Sequence, residues 1–330
     1  MTGTVLTRHP ANPLLQPIAD HPWERGSVLN PSVLADVDGL RMVYRATMAD
    51  SPGDPDTYIS SVGYAESTDG VSWSRLAHPV LAPTEDYEAG LGCEDARICR
   101  VEDDDRYFLY YSAIARRHGD LGVRVALATS PDAVSWTKHG IVGPDCVSKA
   151  ACLFPERIGG DYVWLYTFMA DTPLSTIMMV RAASIDDVIS PPAGSIAAGL
   201  SSFEHHALIA PPTGVRRGAE VGATPLRVRS GWLLVYCGAN VTDRDEWTID
   251  AVLLDAGNPS RVIGDLDHHL LEPETESDRL GIVSNVTFPS GAVVRPGPGG
   301  DELWVSYGSG DADCSLATCR LEPLLAELEA

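Results

Sequence analysis

The hexapeptide Gly92-Cys93-Glu94-Asp95-Ala96-Arg97 places two adjacent carboxylates and a guanidinium within six residues. Groups of this kind donate and accept protons or hold polar substrates. In an exposed turn they would form an ordinary surface ion pair. On an inner strand, the period of two sets Asp95 and Arg97 on one face, and a buried carboxylate needs a partner. Two outcomes stay open at this level: an Asp–Arg pair that braces the strand, and a site of proton transfer. Other chemistry-bearing residues give less. The adjacent His205 and His206 lack the helical spacing of a chelating pair and have no third ligand nearby. A surface loop is therefore expected there, and no metal site anywhere. Cys237 has no histidine partner to make it a nucleophile.

The elements that must position the carboxylates are announced by repetition. A turn, a short apolar run and a tyrosine recur at Asp38–Tyr44, Asp105–Tyr111, Gly160–Tyr166, Ser230–Tyr236 and Asp301–Tyr307. A second phrase is duplicated: Ser67-Thr-Asp69-Gly-Val-Ser72-Trp73 returns as Ser130-Pro-Asp132-Ala-Val-Ser135-Trp136. Spacings of one supersecondary unit with β-rich runs predict an all-β, five-bladed β-propeller, a single domain over residues 1–330. The blades are drafted at about 24–80, 90–142, 147–190, 218–265 and 281–322. Each tyrosine phrase is preceded by an earlier strand: Asn30–Leu34, Glu94–Ile98, Leu153–Arg157, Ala223–Leu226 and Asn285–Phe288. In a propeller these first strands line the central channel. Arg295-Pro-Gly-Pro-Gly-Gly300 reads as a hairpin loop, and only Pro323–Ala330 reads as a helix.

Composition bounds the partners. The 330 residues carry 24 basic and 46 acidic side chains, a formal charge of −22, which disfavours nucleic acid and anionic membrane surfaces. The N-terminal stretch lacks the apolar run of a secretory signal, and no segment approaches the length of a membrane span. The 7 cysteines form no CxxC pair, so no disulfide framework is expected and a cytoplasmic location is. Trp73, Trp136, Trp164 and Trp232 belong to the repeated strands and are expected in the core. Trp23, Tyr87 and Trp247 lie in less regular segments and are the candidates for stacking on a ligand ring.

The chain resembles glycoside hydrolase family 130, five-bladed propellers that cleave β-mannosides by phosphorolysis or hydrolysis. The resemblance runs nearly end to end. It rests on Arg8-x-x-x-Asn12-Pro13, Asn30-Pro31, Arg45, Glu94-Asp95-x-Arg97, Gly143-Pro144-Asp145, Lys149 with Leu153-Phe154-Pro155-Glu156, Gly231–Tyr236 and Tyr307-Gly308-x-x-Asp311. It implies that Asp95 is the general acid, acting through a hydroxyl of the mannose itself, with inversion at the anomeric carbon. Family phosphorylases carry Leu-His-Arg and Tyr-His-Gly where this chain has Leu165-Tyr166-Thr167 and Tyr236-Cys237-Gly238. Two cationic positions of a phosphate cradle are thus missing, which favours water as the nucleophile.

The reading from sequence is therefore an inverting β-mannosidase acting on short manno-oligosaccharides linked β-1,2 or β-1,4. Asp95 is the proton donor; Glu220, with Asp278 as second candidate, activates water. Asn30, Arg45, Glu94, Arg97, Lys149 and Asp311 bind sugar. The alternatives are a β-mannoside phosphorylase, with Arg116 and Arg117 rebuilding the cradle, and a non-catalytic sugar-binding propeller. No cofactor is expected beyond inorganic phosphate as co-substrate of a phosphorylase, and no partner beyond the oligosaccharide.

Overall fold

A computed structural model describes residues 3–48, 59–117, 120–190, 206–209, 218–240 and 245–330. The described residues form five groups of antiparallel strands, the first two joined into one sheet by a parallel bridge between Ser60 and Gly92. The first comprises β2 (Ser27–Asp36), β3 (Gly39–Thr47), β4 (Ser60–Ser67) and β5 (Ser74–Arg75), after the short β1 (Thr7–Arg8). The second comprises β6 (Gly90–Arg100), β7 (Tyr107–Arg117), β8 (Asp120–Ser130) and β9 (Thr137–Ile141). β10 (Ser148–Leu153), β11 (Tyr162–Phe168), β12 (Thr176–Ala182) and β13 (His206–Ile209) make the third. The fourth contains β14 (Ala219–Glu220), β15 (Leu226–Val228), β16 (Gly231–Asn240), β17 (Glu246–Leu254) and β18 (Val262–Asp265). In the fifth, β19 (Thr287–Gly297), β20 (Gly300–Ser309) and β21 (Asp313–Arg320) are completed by β1, which pairs Thr7 with Thr318 and Arg8 with Ala317.

Consecutive groups pack in order: β2 on β6, β6 on β10, β11 on β14, β16 on β19, and β19 back on β2. The core consists of the layers between them. Cys99, Phe108 and Leu127 of the second group meet Leu153, Trp164 and Val180 of the third. Leu233, Val235 and Leu253 of the fourth meet Leu303, Val305 and Tyr307 of the fifth. The repeated tyrosines Tyr44, Tyr111, Tyr166, Tyr236 and Tyr307 stand on β3, β7, β11, β16 and β20, each the strand after its group's first (for β16, after the interrupted pair β14 and β15), and are buried.

The duplicated phrase folds into the same turn twice. Asp69 Oδ1 accepts from the backbone N–H of Val71 and Ser72, and Asp132 Oδ1 from those of Val134 and Ser135. The indoles of Trp73 and Trp136 donate back to the carbonyls of Gly70 and Ala133. The hairpin at Arg295–Gly300 also forms, with Gly297 opposite Gly300.

Three element expectations shift. The third group's first strand is Ser148–Leu153, so the expected strand Leu153–Arg157 lies almost wholly beyond it. In the fourth group Ala223–Pro225 falls in the gap between β14 and β15, where the close packing of Gly222 on Val235 interrupts regular pairing. Among the described residues the α-helices are α1 (Ile185–Ile189), α2 (Glu276–Arg279) and α3 (Leu321–Leu328), two more than expected, and the short ones are nucleated by the caps Ser184 and Thr275. None of the described helices is long and apolar enough to cross a membrane.

Candidate active site

The first strands are kinked where they reach a common cavity. Pairing skips between Leu29 and Ser32 in β2, Glu94 and Arg97 in β6, and Lys149 and Cys152 in β10. Each skip contains one residue with left-handed backbone: Asn30 at φ 51°, Asp95 at 49° and Ala150 at 46°. Such bulges re-aim side chains, and Asn and Asp tolerate this conformation better than other non-glycine residues. Gly92, at φ 92°, makes the approach of β4 possible: a Cβ there would lie 2.3 Å from the Ser60 carbonyl oxygen.

The cavity has a volume of about 460 Å³, in the range of sugar-sized ligand sites. Its polar wall is Asn30, Arg45, Glu94, Asp95, Lys149, Asp171, Asp245 and Asp311. Its apolar wall includes Trp247 and Phe288, so the stacking candidate Trp247 reaches the site. Trp23 instead packs with Tyr44 at 6.2 Å, and neither it nor Tyr87 lines the cavity.

On one side of the cavity, Arg45 holds the paired carboxylates. Its Nη2 donates to Glu94 Oε1 at 2.7 Å, and its Nη1 lies 3.5 Å from Asp95 Oδ1. Ser60 Oγ donates to Glu94 at 3.0 Å, and Asn30 Nδ2 donates to Asp95 Oδ1 at 2.6 Å. Burial raises the Glu94 carboxyl to about 7, against the pull of Arg45 and with the repulsion of Asp95. Burial also acts upward on Asp95, but Arg45, Lys149, Arg97 and the Asn30 amide outweigh it and hold Asp95 below the usual range. The surroundings thus favour a proton on Glu94 over one on Asp95, and Asp95 must take one up to act as an acid. Asp311 is raised to about 6 by burial, partly offset by Arg45.

The second cation lining the cavity is Lys149. Its Nζ lies 2.6 Å from Asp171 Oδ1 and 3.6 Å from Glu220 Oε2. Burial works against its charge, but Asp171, Glu220 and Asp95 keep it protonated well above the ordinary lysine range. Glu220 is fully buried and its carboxyl is raised to about 7, chiefly by burial. It accepts the backbone N–H of Asp171 at 2.8 Å and sits behind Lys149 rather than on the cavity surface.

Two of the expected site residues are elsewhere. Arg97 is fully buried and cannot grip sugar: its three guanidinium nitrogens donate to the backbone carbonyls of Asp95, Val221 and Gly222. It braces β6 against the fourth group's interrupted strand, 5.5 Å over the Phe288 ring. Asp278 caps the turn before α2. Its Oδ2 accepts from Arg8 at 2.7 Å and from the Thr275 backbone at 3.0 Å, and its Oδ1 from Ser309 at 2.8 Å. With both oxygens engaged and no exposure, it has no face toward the cavity. Thr167 and Cys237 are buried, Thr167 accepting the Val221 N–H at 2.8 Å. The side chains of Arg116 and Arg117, and His205 of the histidine pair, lie outside the described residues.

Asp171 and Asp245 escaped the sequence reading. Both follow or precede strands at left-handed positions, φ 60° and 41°, and no spacing relates them to the carboxylate pair. The available signal was their place at strand ends on the side where the first strands begin.

The comparisons agree with this architecture. A family profile described as beta-1,4-mannooligosaccharide phosphorylase matches residues 6–329. The chain is 32% identical over 321 residues to a 1,2-beta-oligomannan phosphorylase of Thermoanaerobacter sp. strain X514, covering 97% of this chain and 98% of the relative. A beta-1,2-mannobiose phosphorylase of the same organism is 30% identical over 323 residues, covering 96% and 98%. The fold is that of the Listeria innocua beta-1,2-mannobiose phosphorylase solved with beta-1,2-mannobiose, at TM-score 0.80, 23% identity and coverage of 100% and 99%. A second structure, at TM-score 0.80, 22% identity and coverage of 97% and 95%, is described as showing that the GH130 family of mannoside phosphorylases contains glycoside hydrolases targeting β-1,2-mannosidic linkages in Candida mannan. A match from residue 6 to residue 329, together with a relative 32% identical along its whole length, places this chain in glycoside hydrolase family 130.

Proposed function

We propose that this protein is an inverting β-mannoside phosphorylase that transfers the terminal mannosyl group of short manno-oligosaccharides to inorganic phosphate. The observation that carries this reading is the end-to-end likeness, at 32% and 30% identity, to two relatives named as phosphorylases of β-1,2-mannosides. It departs from the expectation of hydrolysis drawn from Thr167 and Cys237. The cavity supports it with two cations, Arg45 and Lys149, beside the Glu94–Asp95 pair.

In this mechanism a phosphate oxygen attacks the anomeric carbon from the face opposite the leaving oxygen. The glycosidic C–O bond breaks as Asp95 delivers a proton to that oxygen, relayed by a mannose hydroxyl as the family resemblance implies. The products are α-mannose 1-phosphate and a sugar shorter by one unit. Asn30 and Arg45 hold Asp95 in place, and Asp311 and Glu94 accept sugar hydroxyls. The nucleophile is itself an anion, so neither Glu220 nor Asp278 is needed as a base. This chemistry calls for no metal or organic cofactor. The five strand groups, with β1 completing the last and β19 packed on β2, support their arrangement as the blades of one five-bladed propeller.

Hydrolysis is the second reading. It is favoured by the engagement of both cavity cations with carboxylates: Arg45 with Glu94 and Lys149 with Asp171. Product analysis on β-1,2- and β-1,4-mannobiose, with and without inorganic phosphate, separates the two. Mannose 1-phosphate formed only with phosphate is the expected result. Free mannose formed at equal rates in both conditions replaces the proposal with hydrolysis. Binding without either product leaves a sugar-binding protein.

A further inference from the structure

The cavity's lysine already carries an anion supplied by the chain. Asp171 Oδ1 lies 2.6 Å from Lys149 Nζ, while the Asp171 side chain is 60% exposed. An ion pair so open to solvent adds little stability. Its surroundings nevertheless fix it in place. Met169 and Asp171 both adopt left-handed backbone, at φ 51° and 60°. The turn is tied at three points: Met169 N–H to the Val147 carbonyl at 3.0 Å, Thr172 Oγ1 to the Met169 carbonyl at 2.7 Å, and Asp171 N–H to Glu220 Oε1 at 2.8 Å.

Glu220 is a costly anchor. It is fully buried, and its Oε2 has no hydrogen-bond partner but faces Lys149 Nζ at 3.6 Å. A strained turn and a buried carboxylate with an unsatisfied oxygen each destabilise the fold. Together they hold the Asp171 carboxylate on the one cavity cation that has no contact with the Glu94–Asp95 pair among the described ion pairs.

We propose that Asp171 is the acceptor-selecting residue of the site: its carboxylate occupies the position on Lys149 that an inorganic oxyanion would take. This rests on the reading that the cavity cleaves mannosides with phosphate or water as acceptor. Phosphate entering the site must displace Asp171 from Lys149 and tolerate its charge. Water pays no such penalty. The strength of the Asp171–Lys149 contact thereby sets the balance between phosphorolysis and hydrolysis in a pocket whose acid side is unchanged.

The test is calorimetric titration of the full chain with inorganic phosphate, paired with product partition on mannobiose at fixed phosphate. Asp171→Asn is expected to bind phosphate at least about tenfold tighter, with KM for mannobiose held within about threefold. The ratio of phosphorolytic to hydrolytic turnovers, read as mannose 1-phosphate against half the mannose formed in excess of it, should rise by a similar factor. Lys149→Met added to Asp171→Asn should erase the gain. Asp245→Asn removes another cavity acid outside the Lys149 ion pairs and should give no comparable gain. Unchanged phosphate affinity in a folded Asp171→Asn, an equal gain in Asp245→Asn, or a gain that survives Lys149→Met each overturns the proposal. A wild type that forms neither product overturns the functional reading instead, so the two failures are distinct.

Discussion

Among the described residues the cavity is lined by two cations, and the structure treats them differently. Arg45 engages Glu94 and Asp95 with separate nitrogens, and both carboxylates receive further hydrogen bonds, from Ser60 and Asn30. On that side each carboxylate is thus held both by Arg45 and by a neutral donor. Lys149 meets one exposed carboxylate, Asp171, and one buried carboxylate with an unsatisfied oxygen, Glu220. A planar guanidinium suits the fixed bidentate geometry of an acid pair, whereas a mobile ammonium can exchange partners. In the proposed mechanism, proton transfer falls to the Arg45 side and reception of the nucleophile to the Lys149 side.

The largest effect that would sharpen the contrast is at the acid. Asp95→Asn should lower kcat by about 10³-fold while leaving sugar affinity within a few-fold, read by kinetics and by mannobiose titration. Loss of affinity alongside intact turnover of bound sugar would break the assignment. Next is Lys149→Met, expected to raise the apparent KM for phosphate by roughly 10- to 100-fold and the KM for mannobiose far less. Equal effects on both substrates would merge the two sides into one sugar-binding function.

The buried charges give a third test, in stability. The folded-state pKa of Glu220 is raised from 4.5 to about 7, so its neutral form favours folding and that advantage is lost as pH rises through that window. Glu220→Gln should therefore flatten the fall of Tm between those pH values. Asp278 behaves oppositely. Its pKa is depressed below 3.8 because hydrogen bonds from Thr275 and Ser309 and the charge of Arg8 outweigh burial. Its contribution is present above that pH and lost below it, so Asp278→Asn should lower Tm at neutral pH and converge on wild type in acid. Matching pH slopes for the two variants would contradict their different surroundings.

Arg97→Met should destabilise by about 3 kcal/mol, because three carbonyls lose their donor, and thermal unfolding would register it. The smallest effect is expected from Trp247→Ala on the apolar wall: a KM for mannobiose higher by roughly 2- to 10-fold with kcat retained.

Much of the architecture was legible. The five tyrosine phrases became the second strands, because an apolar run beside a turn specifies a buried strand through local pattern alone. The Asp69 and Asp132 turns formed as twins, since their hydrogen bonds span only three residues. The first strands were harder to delimit. Bulges at Asn30, Asp95 and Ala150 break the period of two, and the fourth group's strand is interrupted at Val221–Pro225, so neither alternation nor length marks their ends.

In the site, sequence singled out Asn30, Arg45, Glu94, Asp95, Lys149 and Asp311, and the fold brings all six to one cavity. It could not separate them from Arg97 and Asp278, which share their residue types but are engaged away from the cavity, Arg97 by backbone carbonyls and Asp278 by Arg8, Ser309 and the Thr275 backbone. Nor could it find Asp171, whose role depends on a lysine 22 residues away and a glutamate 49 residues away. Sequence by itself determined the repeated β units, the acid pair and the family, because those are written in local pattern. Tertiary structure alone decided which charges face the cavity, which are buried as braces, and which carboxylate sits on Lys149. Contact between distant charges depends on how the sheets pack, and that packing is a property of the whole chain.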